Sequence, residues 1–225
     1  EQTQEAKPIA KSDTAVAVSA ATEGVYLWAA ETAESKAILQ GPGSYKHLRF
    51  DEDGKQFAVL SNRDEVAKKK GAKDANKDVN TDANVYSLFY WRAGDGDARL
   101  LVNADSNGMS KGWTPSEHAD MSFSRDGQRL FLSTAELPKP AVKNAPEAMK
   151  VDLWHWKDPE LQSVQKVNQE RDKQKSYRAV VHLADGKFVQ LANKLIPQVI
   201  LNDNAQFAMG ISTLAYRHLM SWDSL

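Results

Sequence analysis

Short runs in which apolar and polar residues alternate, each broken by a tight-turn dipeptide, set the rhythm of the chain. Side chains two residues apart share one face of a strand, so these runs predict half-buried strands joined as hairpins. Residues 121–134, MSFSRDGQRLFLST, repeat the pattern of residues 48–61, LRFDEDGKQFAVLS. Phe50 falls on Phe123, Asp53-Gly54 on Asp126-Gly127, and Phe57-Ala58-Val59 on Leu130-Phe131-Leu132. A fainter third copy, residues 200–212, keeps Asp203-Asn204 at the turn and Gln206-Phe207-Ala208-Met209 after it. Gly and Asn accept the positive φ that tight hairpin turns demand, so these dipeptides mark the reversals.

A second kind of hairpin follows each of the first two and precedes them all. Residues 24–40, GVYLWAAETAESKAILQ, 84–103, NVYSLFYWRAGDGDARLLVN, and 178–192, RAVVHLADGKFVQLA, each place an aromatic or β-branched strand before an aliphatic one. A first hairpin plus a second makes a four-stranded blade, and blades repeated at long spacing predict a β-propeller. The expected fold is all-β, a partial propeller spanning residues 1–225: the tail of one blade at 14–40, blades at 48–103 and 121–192, and the opening of another at 200–225. Open ends leave strand edges unpaired. The expectation is therefore an arc of about three to four blade equivalents, judged from the repeat count, belonging to a longer protein or completed by another subunit.

Two insertions interrupt the alternation. Residues 62–82 are polar, charged and without apolar periodicity, which predicts a solvated loop. Residues 158–176 carry Leu161, Val164 and Val167 at helical spacing among strong helix formers, which predicts a surface helix turning those three side chains to the propeller. Just before it, VDLWHW at 151–156 alternates like a strand and competes with residues 178–183 for the third position of its blade. The first dozen residues are polar and expected to fray, and 14–19 alternate weakly as a strand.

Composition changes this picture little. The 225 residues carry 29 basic and 30 acidic side chains, a net charge of -1 that draws the chain toward neither nucleic acid nor anionic membrane. Cysteine is absent, which removes disulfides, thiolate metal sites and thiol nucleophiles. No apolar run approaches a membrane span, and the N-terminal residues lack the basic-then-apolar pattern of a signal peptide.

Candidate chemistry is sparse. Gly108-Met109-Ser110-Lys111-Gly112 matches the G-x-S-x-G nucleophile pattern, but the residues after it, WTPSEHADMSFS, enter a strand where a helix is required; His118 and Asp120 follow nearby. Asp78, Asn80, Asp82 and Asn84 alternate like a calcium loop, yet Ala83 and Phe89 stand where the turn glycine and the bidentate glutamate belong. Lys68-Lys69-Lys70 is a small basic run diluted by acidic neighbours. The histidines, His47, His118, His155, His182 and His218, lack the short spacings of zinc sites. Trp154, His155 and Trp156 form the densest aromatic cluster, expected to fill the wedge between blades more than to line a ligand site. No catalytic, cofactor or metal residue is assigned, and the substrate-binding residues stay unknown.

The run VDLWHWKDPELQSVQKVNQERDKQKSYRAVVHLADGKFVQLA, with GWTPSEHADMSFSRDGQRLFLSTAELP before it and YRHLMSWD after it, resembles the propeller of prolyl-oligopeptidase-family (S9) serine peptidases, especially large bacterial members typical of Bacteroidota. The similarity covers about residues 45–225 and is most specific over 112–223; the F-S-x-D-G hairpin alone is shared with many WD40-like and TolB-like propellers. In that family the propeller precedes an α/β-hydrolase domain that carries the catalytic triad, screens its active site and selects peptide substrates by size. The resemblance implies a non-catalytic segment of a periplasmic or extracellular peptidase, partnered by the hydrolase domain or the remainder of the propeller. A propeller used only as a scaffold for a cell-envelope protein is the alternative. The nucleophile region of the family has no match in this chain, so no catalytic residue is carried over.

Overall fold

The computed structural model describes residues 23–28, 34–71, 79–80, 85–137, 141–142, 153–155, 157–158, 160–202, 206–217 and 219. Strands β1 (Gly24–Trp28) and β2 (Ser35–Gln40) form an antiparallel hairpin. The next sheet is built from β3 (Tyr45–Phe50), β4 (Gln56–Ser61), β6 (Ser87–Arg92) and β7 (Arg99–Val102), paired in that order. Between its second and third strands lie α1 (Arg63–Gly71) and the short β5 (Val79–Asn80).

A second sheet, of five strands in four positions, repeats the design. Its strands are β8 (Trp113–Pro115), β9 (Ser122–Phe123), β10 (Arg129–Glu136), β12 (Tyr177–His182) and β13 (Phe188–Gln190), with β11 (Ala141–Val142) and α2 (Gln162–Lys173) in the excursion between β10 and β12. β8 pairs with Thr134 to Glu136 and β9 with Leu130 and Phe131, while β12 occupies the opposite edge of β10. Thus β8 and β9 are two halves of one first strand, broken by the loop at 116–121. The hairpin β14 (Gln198–Leu201) and β15 (Ala208–Ile211) follows, then a 3-10 turn at Leu214–Tyr216.

Alternation explains the packing. All six residues of β4 are buried, which requires cover on both faces of the sheet. Phe57, Val59, Phe89 and Trp91 pack with Val25, Ile38 and Leu39 of the preceding hairpin. Ala58, Leu60, Leu88 and Tyr90 pack with Leu130, Leu132, Ala179 and Val181 of the following sheet. Each large apolar side chain removed from water in this way contributes about 1.5–3 kcal/mol. The result is mostly β, antiparallel, with sheets stacked face to face.

Of the two candidates for the third strand of the second sheet, residues 177–182 supply it, because Tyr177 to His182 pair with Arg129 to Thr134 of β10. Several other expectations change. The stretch expected as a solvated loop contains α1, whose first turn is closed by hydrogen bonds from Glu65 and Val66 N–H to the Asn62 carbonyl. Helix α2 has no buried residue: Val167 is 83% exposed and Leu161 and Val164 are also exposed, so these side chains do not face the sheets. Half-buried Gln165 and Asn168 lie on the less exposed side instead. The third hairpin closes on Leu201 and Ala208, leaving the same six-residue connection as Phe50 to Phe57 and Phe123 to Leu130. Ala208 rather than Phe207 therefore occupies the position of Phe57. Residues 14–19 and the turn dipeptide Asp203-Asn204 lie outside the described residues.

Antiparallel pairing also assigns loops to ends. The hairpin turns at 51–55, 93–98, 124–128 and 183–187 share one end of the stack. The opposite end carries α1, α2 and the crossings at 41–44, 103–112 and 193–197. β5 pairs with β11 there, so the excursions of the two sheets are hydrogen-bonded to each other.

Candidate functional site

Among the described residues, a dense polar contact joins the first strands of the two larger sheets. The register of β3 shifts between Lys46 and Arg49, and within that irregularity His47 takes φ 53°, a left-handed conformation uncommon for a residue with a Cβ. The bulge sets His47 against the loop that interrupts the next first strand. Its Nδ1 lies 3.1 Å from Asp120 Oδ1 and its Nε2 2.6 Å from the Glu117 carbonyl oxygen. Both neighbours are acceptors, so the imidazolium satisfies both and a neutral ring only one.

Two cations flank the histidine. Arg49 Nη2 donates to Asp120 Oδ2 over 2.8 Å, and the Lys46 ammonium pairs with the Glu117 carboxylate. Hydrogen bonds from Arg49, then His47, hold the Asp120 carboxyl below the usual carboxylate range. Burial pushes the Glu117 carboxyl up, but the Lys46 ammonium and then the adjacent Tyr86 hydroxyl outweigh it and bring it below that range. The hydrogen bond to Glu117 in turn raises the Lys46 ammonium. Tyr86 is buried beside this pair, its hydroxyl without a hydrogen bond of regular geometry, while its backbone carbonyl accepts from Thr114 Oγ1 at 2.9 Å. Every carboxylate here is already engaged by a cation. The arrangement holds two sheets together and offers no free base.

At the turn end, a cleft of about 370 Å³ runs between the two Asp-Gly hairpins. Gln56 bridges its floor: Nε2 donates to the Gly127 carbonyl over 2.7 Å, and Oε1 accepts from the Tyr90 hydroxyl over 2.5 Å. At the other end, a groove of about 540 Å³ separates α2 from the β8–β9 loop and the last hairpin, lined by His118, Asn168, Arg171 and Gln198 among others. Glu160 and Arg217 close one side of it with a 3.1 Å ion pair.

The sequence candidates are scattered. Ser110 sits in the crossing from β7 to β8, flanked by Gly108 and Gly112 at φ 90° and 78°, and its carbonyl accepts from the Trp113 N–H at 3.0 Å. A strand, β8, follows it. No hydrogen bond links Ser110, His118 and Asp120 among the described residues; Asp120 is committed to His47 and Arg49. Of the calcium-like alternation, Asn80 falls in β5, and Asp78, Asp82 and Asn84 lie outside the described residues, as does His218. Lys68 pairs with Glu65 at 2.8 Å one turn away on α1.

Trp154 and His155 of the aromatic cluster do not fill a wedge between sheets. Residues 153–155 are not in a strand; Trp154 is half-buried beneath the Lys166 ammonium, 5.7 Å from its ring centroid, and Leu153 is exposed. Trp156 lies outside the described residues. His155 takes part in a local turn, with its Nδ1 accepting from the Lys157 N–H at 3.1 Å. The Lys46–His47–Arg49 junction went unread in the sequence because its acidic partners lie about seventy residues away. The only local signal was the histidine inside an otherwise alternating strand.

No family model matches the chain, and no curated protein matches it. Among solved structures it is similar to TolB from Acinetobacter baumannii, at 11% identity and a TM-score of 0.29, covering 82% of this chain and 42% of that one. It is also similar to the putative TolB from Agrobacterium tumefaciens, at 14% identity and a TM-score of 0.26, covering 84% and 61% respectively. The chain thus spans less than two thirds of the length of either. Likeness at such TM-scores adds nothing to the fold, which stands on its strand pairing.

Proposed function

We propose that the stacked sheets are consecutive blades of a β-propeller and that the chain is a non-catalytic scaffold segment. The observation that carries this reading is β4, buried on both faces between a preceding hairpin and a following sheet of the same strand order. The boundaries follow the sheets: a half-blade at 24–40, blades at 45–102 and 113–190, and a second half-blade at 198–211. Helices α1 and α2, both rich in charged side chains, lie at one end, where a protein partner would dock.

The sequence resemblance over residues 112–223 favours a finer assignment, in which the scaffold belongs to a periplasmic or extracellular S9-type serine peptidase and restricts peptide access to a hydrolase domain. Among the described residues no helix is long and apolar enough to cross a membrane, which accords with a partner met in solution. A serine-directed phosphonate probe separates these readings when applied to the product of the complete natural gene and to the 225 residues alone. Labelling of a serine outside these residues is the expected result for the peptidase assignment. No labelling of either product leaves the envelope scaffold. Modification at Ser110 overturns the non-catalytic assignment.

A further inference from the structure

Within the crossing from β7 to β8, the first glycine of the G-x-S-x-G pattern follows an asparagine, and of the eleven asparagines only this one, Asn107, precedes a glycine. An asparagine side chain closes a ring on the next backbone nitrogen only where that nitrogen is uncrowded and unbonded. Glycine, with no Cβ, crowds it least. Asn107 is exposed, and neither its carboxamide nor the Gly108 N–H makes a hydrogen bond among the described residues.

The aspartate-glycine turns, which could close the same ring, are held otherwise. Gly54 N–H donates to the Asp51 carbonyl over 3.2 Å, Gly127 N–H to the Ser124 carbonyl over 2.8 Å, and Gly186 N–H to the His182 carbonyl over 2.8 Å. Gly96 N–H makes no such bond among the described residues, but the side chain before it is a carboxylate, ionised near neutrality and a poorer acyl donor than an amide. Asn103 is followed by Ala104, and its Oδ1 accepts from the Asp105 N–H and the Ser106 hydroxyl, each over 3.0 Å.

The fold requires glycine at this place for a separate reason. Met109 N–H donates to the Ser106 carbonyl over 3.0 Å and closes a turn with Asn107 and Gly108 at its corners, Gly108 at φ 90°. A Cβ at Gly108 would stand 2.8 Å from the Phe188 carbonyl oxygen. The turn therefore lies against β13, and Met109 after it packs on Phe188 and on the cluster of Trp113, Tyr177 and Ala192.

We propose that Asn107-Gly108 is a site of spontaneous backbone modification in the folded chain, converting through a succinimide to isoaspartate and loosening the crossing that seats Met109. Release of the single Ser106 to Met109 hydrogen bond lets the Asn107 Cα–C bond rotate until the Gly108 nitrogen reaches Cγ. The N–Cγ bond forms, the Cγ–Nδ2 bond breaks, and the Gly108 N–H proton passes through water to the departing nitrogen, which leaves as ammonia. Solvent water then adds to one of the two ring carbonyls and cleaves its bond to the Gly108 nitrogen, which regains a proton. Opening at the main-chain carbonyl gives isoaspartate, and opening at Cγ gives aspartate. Isoaspartate lengthens the main chain by one methylene, so the turn loses its register and a carboxylate replaces a neutral amide.

The test incubates the intact 225-residue chain in mildly alkaline buffer and reads its tryptic peptides by mass spectrometry. Residues 100–111, LLVNADSNGMSK, carry Asn103 and Asn107 together, so one peptide holds its own control. Asn107 should change from amide to acid ahead of every other asparagine, with Asn103 intact, and the product should accept a methyl group from an isoaspartyl methyltransferase, which ignores ordinary aspartate. Conversion first at another position, aspartate as the sole product, or an Asn107 that persists in the folded chain while it converts in the free peptide 100–111 overturns the proposal. Asn107→Gln disfavours the five-membered ring and should lose methyl acceptance with its circular dichroism unchanged; retained acceptance overturns the assignment to Asn107. In the converted chain the Met109 and Trp113 amides should lose hydrogen-exchange protection while β4 and β10 keep theirs. Unchanged protection at Met109 overturns the loosening of the crossing.

Discussion

Gln56 and Gly127, seventy-one residues apart, tie the first hairpins of adjacent sheets through a 2.7 Å hydrogen bond from Nε2 to the carbonyl oxygen. Gly127 also has φ 63°, and a Cβ built there would stand 2.7 Å from that same Nε2. Gly112, in the crossing before β8, has φ 78° but open space around it. Valine at either position meets strain of about 1–2 kcal/mol. Only Gly127→Val also displaces the bridge, a further loss of about 1 kcal/mol. Thermal melts should rank Gly127→Val below Gly112→Val, and Gln56→Ala should narrow the difference.

His47 presents the opposite balance, with strain accepted in exchange for contacts. His47→Ala removes both ring contacts and keeps the unfavourable φ of 53°, whereas His47→Gly removes the strain as well. The glycine variant should be the more stable of the two by about 1 kcal/mol, a difference that denaturant titration resolves.

Acid sensitivity should follow the turn carboxylates. The Ser124 hydroxyl, 2.5 Å from Oδ1, and then the Gln128 N–H hold the Asp126 carboxyl below its ordinary value. A depressed folded value means that its stabilising contribution is present above the unfolded value of about 4 and is lost as pH falls through the folded one. Asp126→Asn should therefore lower the melting temperature near neutrality and flatten its decline below about pH 4. An unchanged acid slope would show that Asp126 does not take part.

Exposure on α2 makes a further test. Val167→Lys should leave stability within about 0.5 kcal/mol, since the side chain is 83% exposed. Val180→Lys, in the centre of β12 at 5% exposure, should unfold the second sheet or cost several kcal/mol. Equal effects would mean that the helix packs on the sheets after all.

Local patterns were legible where the determining physics is local. The Asp-Gly turns, the six hairpins and the α2 segment follow from alternation, helical spacing and the demand for positive φ, which act over a few residues. The same rules misjudged the helix face, because helical spacing of Leu161, Val164 and Val167 shows that three side chains share a side without showing what lies beneath it. They also shifted the third hairpin by one residue: Phe207 matches Phe57 in sequence, but hydrogen bonding between Leu201 and Ala208 sets the register.

By itself the sequence determined a repeated antiparallel β chain with Gly127, Gly54 and Gly186 at its reversals, since left-handed backbone there excludes most other residues. It also determined the absence of cysteine thiol chemistry and a net charge of only -1. Only the tertiary structure decided that residues 177–182 displace 151–156 as a third strand, and that α1 forms from a stretch without apolar periodicity. It alone brought Lys46, His47 and Arg49 against Glu117 and Asp120. Charges so far apart in sequence meet only after two sheets have stacked, and what stacks them is the burial of both faces of β4, an energy summed over many side chains that no single local motif displays.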